Sequence, residues 1–295
     1  MTNNKTSGQL ALYALTLLAM LAFAGNSLLC RLALKTTPID AASFTALRLA
    51  SGALVLWLLV RWQRGSLAGK GDWPGALALF AYAAGFSFAY LQLAAGLGAL
   101  LLFGAVQATM IGVGLYRGER LRPMQTLGLI AALGGVGGLL LPGAAAADTP
   151  PLLSALLMLG AGIAWGVYSL RGRGVADPTG TTAGNFLRAT PLGLALLVLS
   201  FPWLRLDPLG AAYALVSGAI ASGLGYALWY RVMRGLTATR AASVQLSVPA
   251  LTALAAVAFL GEPLTLRVVI ASVTILGGVG LVIAGRQAAT PANKP

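Results

Sequence analysis

The chain contains no histidine, one cysteine and only seven acidic residues among its 295 residues. It therefore lacks the side chain that titrates near neutral pH, and the single Cys30 excludes an intramolecular disulfide. The seven acids lie between the apolar runs or at their ends: Asp40, Asp72, Glu119, Asp148, Asp177, Asp207 and Glu262. No embedded acid is thus available as a proton carrier. Because serines and Cys30 have no base beside them, we predict no enzyme, no catalytic residue, no cofactor and no metal site.

Hydrophobic residues make up 58% of the chain and charged residues only 9%. No Asp, Glu, Lys or Arg occurs from Trp73 to Tyr116, a stretch long enough to cross a bilayer twice. Continuous apolar runs favour helices over the alternating strands of a barrel. Ten spans are predicted, at 10–34, 41–62, 73–92, 96–116, 122–141, 152–171, 182–201, 208–231, 239–261 and 265–285. The sequence therefore predicts an all-α membrane protein with ten transmembrane helices.

A sequence motif occurs twice, 143 residues apart. Gly118-Glu119 precedes an apolar run to Gly134-Gly135-Val136-Gly137, and Gly261-Glu262 precedes one to Gly277-Gly278-Val279-Gly280. The repetition divides the chain into two five-helix repeats, 1–145 and 146–295. Because five is odd, the second repeat must enter the membrane from the opposite side. We therefore expect two inverted repeats around a central cavity, an arrangement that is typical of transporters.

Basic residues are distributed unevenly between the two sets of loops. With the N-terminus inside, fourteen of the twenty Lys and Arg residues flank the spans on one face and four lie on the other. The positive-inside rule then places both termini in the cytoplasm. Because these charges are scattered over short loops, the net charge of +13 gives no reason to expect nucleic-acid binding.

Candidate substrate-binding residues are aromatic or neutral and polar. Tyr82, Phe86 and Tyr90 repeat every four residues along one helix face, and Trp165 and Tyr168 lie one turn apart. Flat rings on a cavity wall would favour aromatic or large apolar solutes, although such rings also pack in the core or at the headgroup level. Hydrogen bonds to an amino acid would come from neutral polar side chains, which can equally join helices. These polar candidates are Asn26, Gln107, Gln245 and Ser243.

Six further residues are candidates for gating or for structural roles. Arg48 and Arg188 lie inside their spans, where each either attracts a substrate carboxylate or caps carbonyl groups. Glu119 and Glu262 follow helix-ending glycines, so each either titrates or favours a helix N-terminus. Pro191 and Pro249 lie within spans and predict either a hinge or a static bend.

The second copy of the motif resembles a known family. The segments Ser243-Val244-Gln245-Leu246-Ser247-Val248-Pro249, Phe259-Leu260-Gly261-Glu262-Pro263-Leu264-Thr265 and Gly277-Gly278-Val279-Gly280 are similar to the EamA-type branch of the drug/metabolite transporter superfamily. The resemblance implies a bacterial inner-membrane exporter of small metabolites with a cavity between its halves. Within that branch the chain is most similar to the YddG-type aromatic amino-acid exporters. Small multidrug pumps carry an acid in the first span, where this chain has Ala22-Phe23-Ala24-Gly25-Asn26.

The expected function is export of amino acids, especially aromatic ones, by facilitative alternating access. Expected partners are the lipid bilayer and a small-molecule substrate, either an amino acid or another apolar metabolite. A sugar-phosphate, nucleotide-sugar or drug exporter is the alternative within the superfamily. A channel and a membrane-embedded enzyme are the alternatives from other classes. The sequence makes no prediction of the oligomeric state.

Overall fold

The structure is a computed structural model that describes residues 2–64, 70–118, 120–141, 150–172, 174–233, 236 and 244–287. Glu119 and Ser243 lie outside the described residues. The helices are α1 Thr2–Thr36, α2 Ala41–Arg64, α3 Trp73–Tyr90, α4 Ala95–Tyr116, α5 Pro123–Leu140, α6 Leu152–Gly172, α7 Pro178–Leu199, α8 Pro208–Met233, α9 Ser247–Leu260 and α10 Leu266–Gln287. A short 3₁₀ helix, Phe201–Trp203, joins α7 to α8.

Eight of the described helices, all except α3 and α9, are long and apolar enough to cross a bilayer. The helix α3 has 18 residues without a charge, and α9 is apolar but has only 14 residues. The described chain therefore contains eight to ten candidate spans. The prediction that the protein is all-helical is confirmed.

Aspartate residues determine where several helices begin. Asp72, Asp177 and Asp207 each accept a hydrogen bond from the backbone N–H three residues later, and each helix has a proline in its first turn. This arrangement satisfies an otherwise unpaired N–H and fixes φ for the first turn. It explains why α7 begins at Pro178 rather than at the predicted residue 182. The apolar run alone marks only part of the helix.

The helix α8 changes its winding in the middle. Pro208–Val216 and Gly225–Met233 are α-helical, whereas Ser217–Leu224 forms a π-helix. A π-helical segment turns the following side chains relative to an unbroken α-helix, and such segments are frequent at functional sites. This one packs against α2.

The most extensive helix–helix contacts in the described part of the bundle fall into two sets. The first set joins α2 with α7, α4 with α9 and α5 with α10. The second set joins α1 with α8 and α9, α6 with α3 and α4, α2 with α8, and α3 with α7. The α5–α10 contact uses a glycine of the repeated motif, since a methyl group at Gly278 would lie 2.5 Å from the Gly128 carbonyl oxygen. Gly278 therefore allows these two helices to pack closely.

Candidate functional site

A buried arginine lies at the centre of the helix bundle. Arg48 lies about two turns into α2, roughly 10 Å along the helix axis from its first residue. Only 1% of Arg48 is exposed. Its Nε donates a hydrogen bond to Ser222 Oγ at 3.1 Å. Its Nη2 donates to Tyr82 Oη at 2.9 Å and faces Tyr226 Oη at 3.4 Å. The guanidinium thus connects α2 with α3 and with the π-helical segment of α8.

Aromatic faces also surround this guanidinium. Its Cζ lies 5.0 Å from the ring centre of Tyr82 and 4.9 Å from that of Phe86. Attraction between a cation and an aromatic ring strengthens when both are removed from water. The rings therefore offset part of the cost of burying Arg48.

The charge of Arg48 has no partner of opposite sign among the described residues. Its Nη1 is buried and makes no hydrogen bond within the described part of the chain. Buried donors normally have an acceptor, and an arginine stays protonated in proteins. The site therefore has a positive charge and hydrogen-bond donors that are available for an anion.

Asn26 extends the polar contacts to α1. Its Nδ2 donates to Tyr82 Oη at 3.0 Å, and its Oδ1 accepts from Ser217 Oγ at 2.7 Å. We call Asn26, Arg48, Tyr82, Ser217, Ser222 and Tyr226 the Arg48 cluster. Its members come from α1, α2, α3 and α8, so any relative movement of these helices changes the cluster.

The π-helical segment determines how its two serines reach the cluster. Ser217 and Ser222 are five residues apart, which is about one π-helical turn. The segment approaches α2 so closely that a methyl group on Gly218 would overlap the Arg48 carbonyl oxygen and Ser51 Oγ. A glycine at this position therefore permits the contact that brings both serines to the cluster.

Five aromatic side chains cover one side of the Arg48 cluster. Ring centres lie 4.9 Å apart for Tyr82 and Trp165, 4.7 Å for Trp165 and Tyr226, and 5.4 Å for Tyr82 and Phe86. Phe23 meets Trp165 and Tyr226 edge-on at 6.2 and 6.0 Å. We call these five residues the aromatic cluster. Its rings are buried and in contact with one another, so this form of the protein is closed around Arg48.

The other two predicted aromatic residues extend the aromatic cluster in opposite directions. The Tyr90 ring meets Phe86 edge-on at 4.7 Å, and the Tyr90 hydroxyl donates to the Ala95 carbonyl oxygen at 3.2 Å. Tyr168 lies 5.5 Å from Trp165 by ring centres. A continuous aromatic path therefore runs from Tyr90 to Tyr168.

The predicted polar residues do not all join this site. Gln107 and Gln245 are both buried, but no hydrogen bond between described residues connects either one to the Arg48 cluster. The Nε2 of Gln107 has no acceptor among the described residues. Only Asn26 of the polar candidates that the structure describes makes hydrogen bonds within the cluster.

The two intramembrane arginines have different environments. Arg188 Nη1 donates to the carbonyl oxygens of Lys70 at 2.6 Å and Gly184 at 3.0 Å. It therefore caps backbone groups, whereas Arg48 contacts hydroxyl groups and rings.

Pro191 lies inside α7, as predicted, but Pro249 lies in the first turn of α9. A proline at that position removes no helical hydrogen bond, because the first N–H groups have no helical acceptor.

A buried ion pair closes one end of the bundle, which we call the Arg31 end. Glu262 follows Gly261, the residue that ends α9 with φ of 61°. Its Oε1 accepts from Arg31 Nε at 2.9 Å, and its Oε2 accepts from the Ala95 N–H at 2.7 Å. Arg31 Nη1 also donates to the Tyr90 carbonyl oxygen at 2.9 Å. Glu262 thus stabilises the N-terminus of α4, rather than that of the following helix α10, and joins α1, α3 and α4.

A second set of polar contacts closes the opposite end, which we call the Asp72 end. Asp72 Oδ2 accepts from Arg171 Nη2 at 2.9 Å, and the Asp72 N–H donates to Asn185 Oδ1 at 2.8 Å. The hydrogen bond from the Gly75 N–H, aided by Arg171, lowers the pKa of Asp72. These contacts join α3 to α6 and α7.

Sequence reasoning overlooked three residues of this site, namely Ser217, Ser222 and Phe23. Ser217 and Ser222 are the polar residues of the π-helical segment, and their spacing of five residues fits neither an α-helical stripe nor a strand. That spacing was the available signal for a π-helical segment. Phe23 had no signal, because a single aromatic residue in an apolar helix is compatible with lipid or with the core.

The polar and aromatic site is buried in a bundle in which eight of the described helices are long and apolar enough to cross a membrane. Residues 152–284 match the EamA-like transporter family. The chain is 60% identical over 273 residues to the uncharacterized protein PA1977 of Pseudomonas aeruginosa, covering 92% of this chain and 94% of that protein. This chain belongs to the EamA-like transporter family and is a multi-pass membrane protein.

A solved structure has the same fold. It is described only as the crystal structure of a protein, and it superposes with a TM-score of 0.67 at 21% sequence identity. The superposition covers 92% of this chain and 96% of the other. At this identity the likeness concerns the fold alone.

Proposed function

We propose that the protein exports amino acids, especially aromatic ones, from the bacterial cytoplasm, as the resemblance to YddG-type exporters implied. The observation that carries this proposal is that the Arg48 cluster lies against the aromatic cluster. Polar contacts at the Arg31 end and at the Asp72 end close the bundle on both sides of these clusters. Aromatic rings bind flat apolar solutes by stacking and burial. The hydroxyl and amide groups beside them offer hydrogen bonds to the polar part of an amino acid.

The helix pairs with the most extensive contacts support two inverted repeats, 1–145 and 146–295, with ten spans. In two repeats of five helices, α1 corresponds to α6, α2 to α7, α3 to α8, α4 to α9 and α5 to α10. When each helix is replaced by its counterpart, the contact α1–α8 becomes α6–α3, α1–α9 becomes α6–α4, and α2–α8 becomes α7–α3. The pairs α2–α7, α4–α9 and α5–α10 convert into themselves. Such an exchange is expected when two halves with the same fold alternate between two conformations.

Alternating access would open the two ends of the bundle in turn. Opening the Arg31 end requires Glu262 to leave Arg31 or the N-terminus of α4. Opening the Asp72 end requires Asp72 to leave Arg171 or Asn185. The closed form would be the occluded intermediate between these two states. By the positive-inside rule, the Asp72 end faces the cytoplasm of an inner-membrane protein.

The positions of the acids favour facilitative export. Asp72, Asp177 and Asp207 cap their own helices, Asp40 accepts from the N–H of Ser43 in α2, and Glu262 accepts from the first N–H of α4. Each acid of the described residues thus serves a helix N-terminus and lies outside the Arg48 cluster. Without a titrating group in its core the carrier has no site for a coupled proton, so we expect the substrate to move down its own gradient.

Transport by the purified protein in liposomes tests this proposal. Labelled phenylalanine, threonine and a lipophilic cation are offered with and without an imposed pH gradient. Saturable amino-acid uptake, larger for phenylalanine than for threonine and unaffected by the pH gradient, is the expected result. Proton-driven uptake of the cation alone would identify a drug exporter instead. Uptake that never saturates would identify a channel.

A further inference from the structure

We propose that Arg48 binds the carboxylate of the substrate, and that the site accepts aromatic monocarboxylates with or without an α-amino group. The inference rests on the proposed function only in that the Arg48 cluster is the transport site. It is more specific, because it states which charged group a substrate must carry and which one it can lack.

Arg48 leaves part of its hydrogen-bonding capacity unused within the described part of the chain. A guanidinium has five N–H donors in a planar fork. Ser222 occupies Nε, and the hydroxyls of Tyr82 and Tyr226 face Nη2. Nη1 is buried and without an acceptor among the described residues. The N–H groups of Nη1 are therefore available to a carboxylate oxygen, which accepts a charge-assisted hydrogen bond more strongly than a neutral oxygen does.

Arg48 differs from other cations of the described chain in the partners that surround it. Arg31 and Arg171 each pair with an acid, at Glu262 and Asp72. Arg188 donates to two carbonyl oxygens. Arg48 is more deeply buried than any of them, yet its hydrogen-bond acceptors are hydroxyl groups and its other close partners are aromatic rings, none of them an acid. Because a buried charge is costly without a counter-ion, its retention indicates an anion that arrives from outside the protein.

The rest of the substrate would lie against the aromatic cluster. Tyr82 and Phe86 flank the guanidinium, and Trp165 and Tyr226 continue the same wall. Since these rings touch in the closed form, a substrate would have to separate them and take the place of ring-to-ring contacts. An aromatic ring attached to the carboxylate by a short chain replaces those contacts best.

The ammonium group of an amino acid would find no counter-ion in the Arg48 cluster. No acid of the described residues contacts any member of the Arg48 cluster. The Oδ1 of Asn26 already accepts from Ser217. An ammonium would therefore find neutral oxygens at best, so the site should not require one. A carboxylate without an amino group avoids the cost of removing that ammonium from water.

Ligand-induced thermal stabilisation of the purified full chain is the test. The probes are phenylalanine, 3-phenylpropionate, phenylalaninamide and phenethylamine. We expect phenylalanine and 3-phenylpropionate to raise the unfolding midpoint, with 3-phenylpropionate binding at least as tightly as phenylalanine. The amide and the amine should bind at least about tenfold more weakly, because they leave the guanidinium without an anion. Equal binding of the amide and the carboxylates, or no stabilisation by either carboxylate, would overturn the proposal.

Variants at the two buried arginines sharpen this test. R48Q should abolish the preference for carboxylates, whereas R188Q, which removes an arginine that contacts only backbone carbonyls, should retain it. R48K keeps the charge but loses the fork, so we expect an intermediate preference. A preserved preference in R48Q would contradict the proposal. If R48Q does not fold, R48K and the wild-type probes decide the question.

Failure of this inference can be told apart from failure of the proposed function. In one outcome, phenylalanine transport is saturable, but phenylalaninamide inhibits it as strongly as 3-phenylpropionate does. That result would support amino-acid export and contradict carboxylate binding by Arg48. Conversely, Arg48-dependent binding of carboxylates without any phenylalanine transport would support the anion site and overturn amino-acid export.

Discussion

The Tyr82 hydroxyl is the acceptor that connects two members of the Arg48 cluster. It accepts from Arg48 Nη2 at 2.9 Å and from Asn26 Nδ2 at 3.0 Å. The Tyr226 hydroxyl lies farther from the same guanidinium, at 3.4 Å. Because hydrogen bonds weaken with distance, Tyr82 should hold Arg48 in place more firmly than Tyr226 does.

Replacing Tyr82 by Phe should therefore impair transport more than the matched replacement of Tyr226. Y82F keeps the ring but leaves two buried donors without an acceptor, at a cost of about 1–3 kcal/mol each. We expect saturable phenylalanine uptake to fall roughly tenfold or more, and Y226F to lose clearly less. Initial uptake rates in liposomes measure both. Equal losses would mean that the hydroxyls are interchangeable.

The buried ion pair at the Arg31 end predicts an effect on stability. E262Q should lower the free energy of unfolding by about 2 kcal/mol, because Arg31 loses its counter-ion in a largely buried position. D207N, which alters only a helix cap, should cost about 1 kcal/mol or less. Denaturant unfolding monitored by tryptophan fluorescence gives both values. An E262Q variant as stable as the wild type would show that the ion pair does not hold the closed form.

The sequence could indicate that Arg48 and Arg188 were unusual, but not that they differ. Both are arginines several residues inside an apolar span. Their environments depend on which groups the tertiary fold brings near, namely Ser222 and Tyr82 for one and the Lys70 carbonyl for the other. No local pattern contains that information, so the sequence could not distinguish a ligand site from a backbone cap.

At the level of whole helices, apolar length determines the spans and capping groups determine their ends. The predicted spans match the helices closely wherever an apolar run ends at a charge or a turn, as for α2 and α4. The start of α7 was missed because Asp177 and Pro178 extend the helix beyond its apolar part. The π-helical segment of α8 was missed because hydropathy does not distinguish one helical winding from another. Its winding depends on the close contact with α2.

A methyl group at Gly218 tests whether the π-helical segment positions the Arg48 cluster. G218A should push α8 away from α2 and weaken binding of 3-phenylpropionate roughly tenfold or more, since Ser222 moves with the segment. G134A is the matched control in α5, where an added methyl group meets nothing within 4 Å. Thermal stabilisation by 3-phenylpropionate measures both variants. Unchanged binding of 3-phenylpropionate in G218A would show that the π-helical segment does not position the Arg48 cluster.

At the level of the whole molecule, transport should be insensitive to pH between about 5.5 and 8. The chain has no histidine, and the lowered pKa of Asp72 keeps this carboxylate ionised throughout that range. Ionised Asp72 stabilises the folded protein fully above the pKa that this carboxyl has in the unfolded chain. This stabilisation is lost only as the pH falls through the lower pKa of Asp72 in the folded protein. Half of the Asp72 side chain is exposed, so that contribution is small. Phenylalanine uptake at matched pH on both sides of the membrane measures this, and a change of severalfold would reveal a titrating group in the transport cycle.

The charge of the substrate also predicts how the membrane potential acts. A monoanion such as 3-phenylpropionate carries one net charge, whereas zwitterionic phenylalanine carries none. A potential of 100 mV is equivalent to about 2.3 kcal/mol for one charge, or about a 50-fold gradient. We expect an inside-negative potential to drive 3-phenylpropionate out of liposomes and to leave phenylalanine unaffected. Potential-driven movement of phenylalanine would indicate that another charge moves with it.

Counterflow tests the central claim, which is that the closed Arg48 cluster opens to one side at a time. Liposomes are loaded with unlabelled phenylalanine and diluted into a trace of labelled phenylalanine. A carrier that reorients with bound substrate should accumulate the label transiently, and R48Q should abolish this accumulation. Label that merely equilibrates, without rising above the outside concentration, would contradict alternating access and indicate a channel.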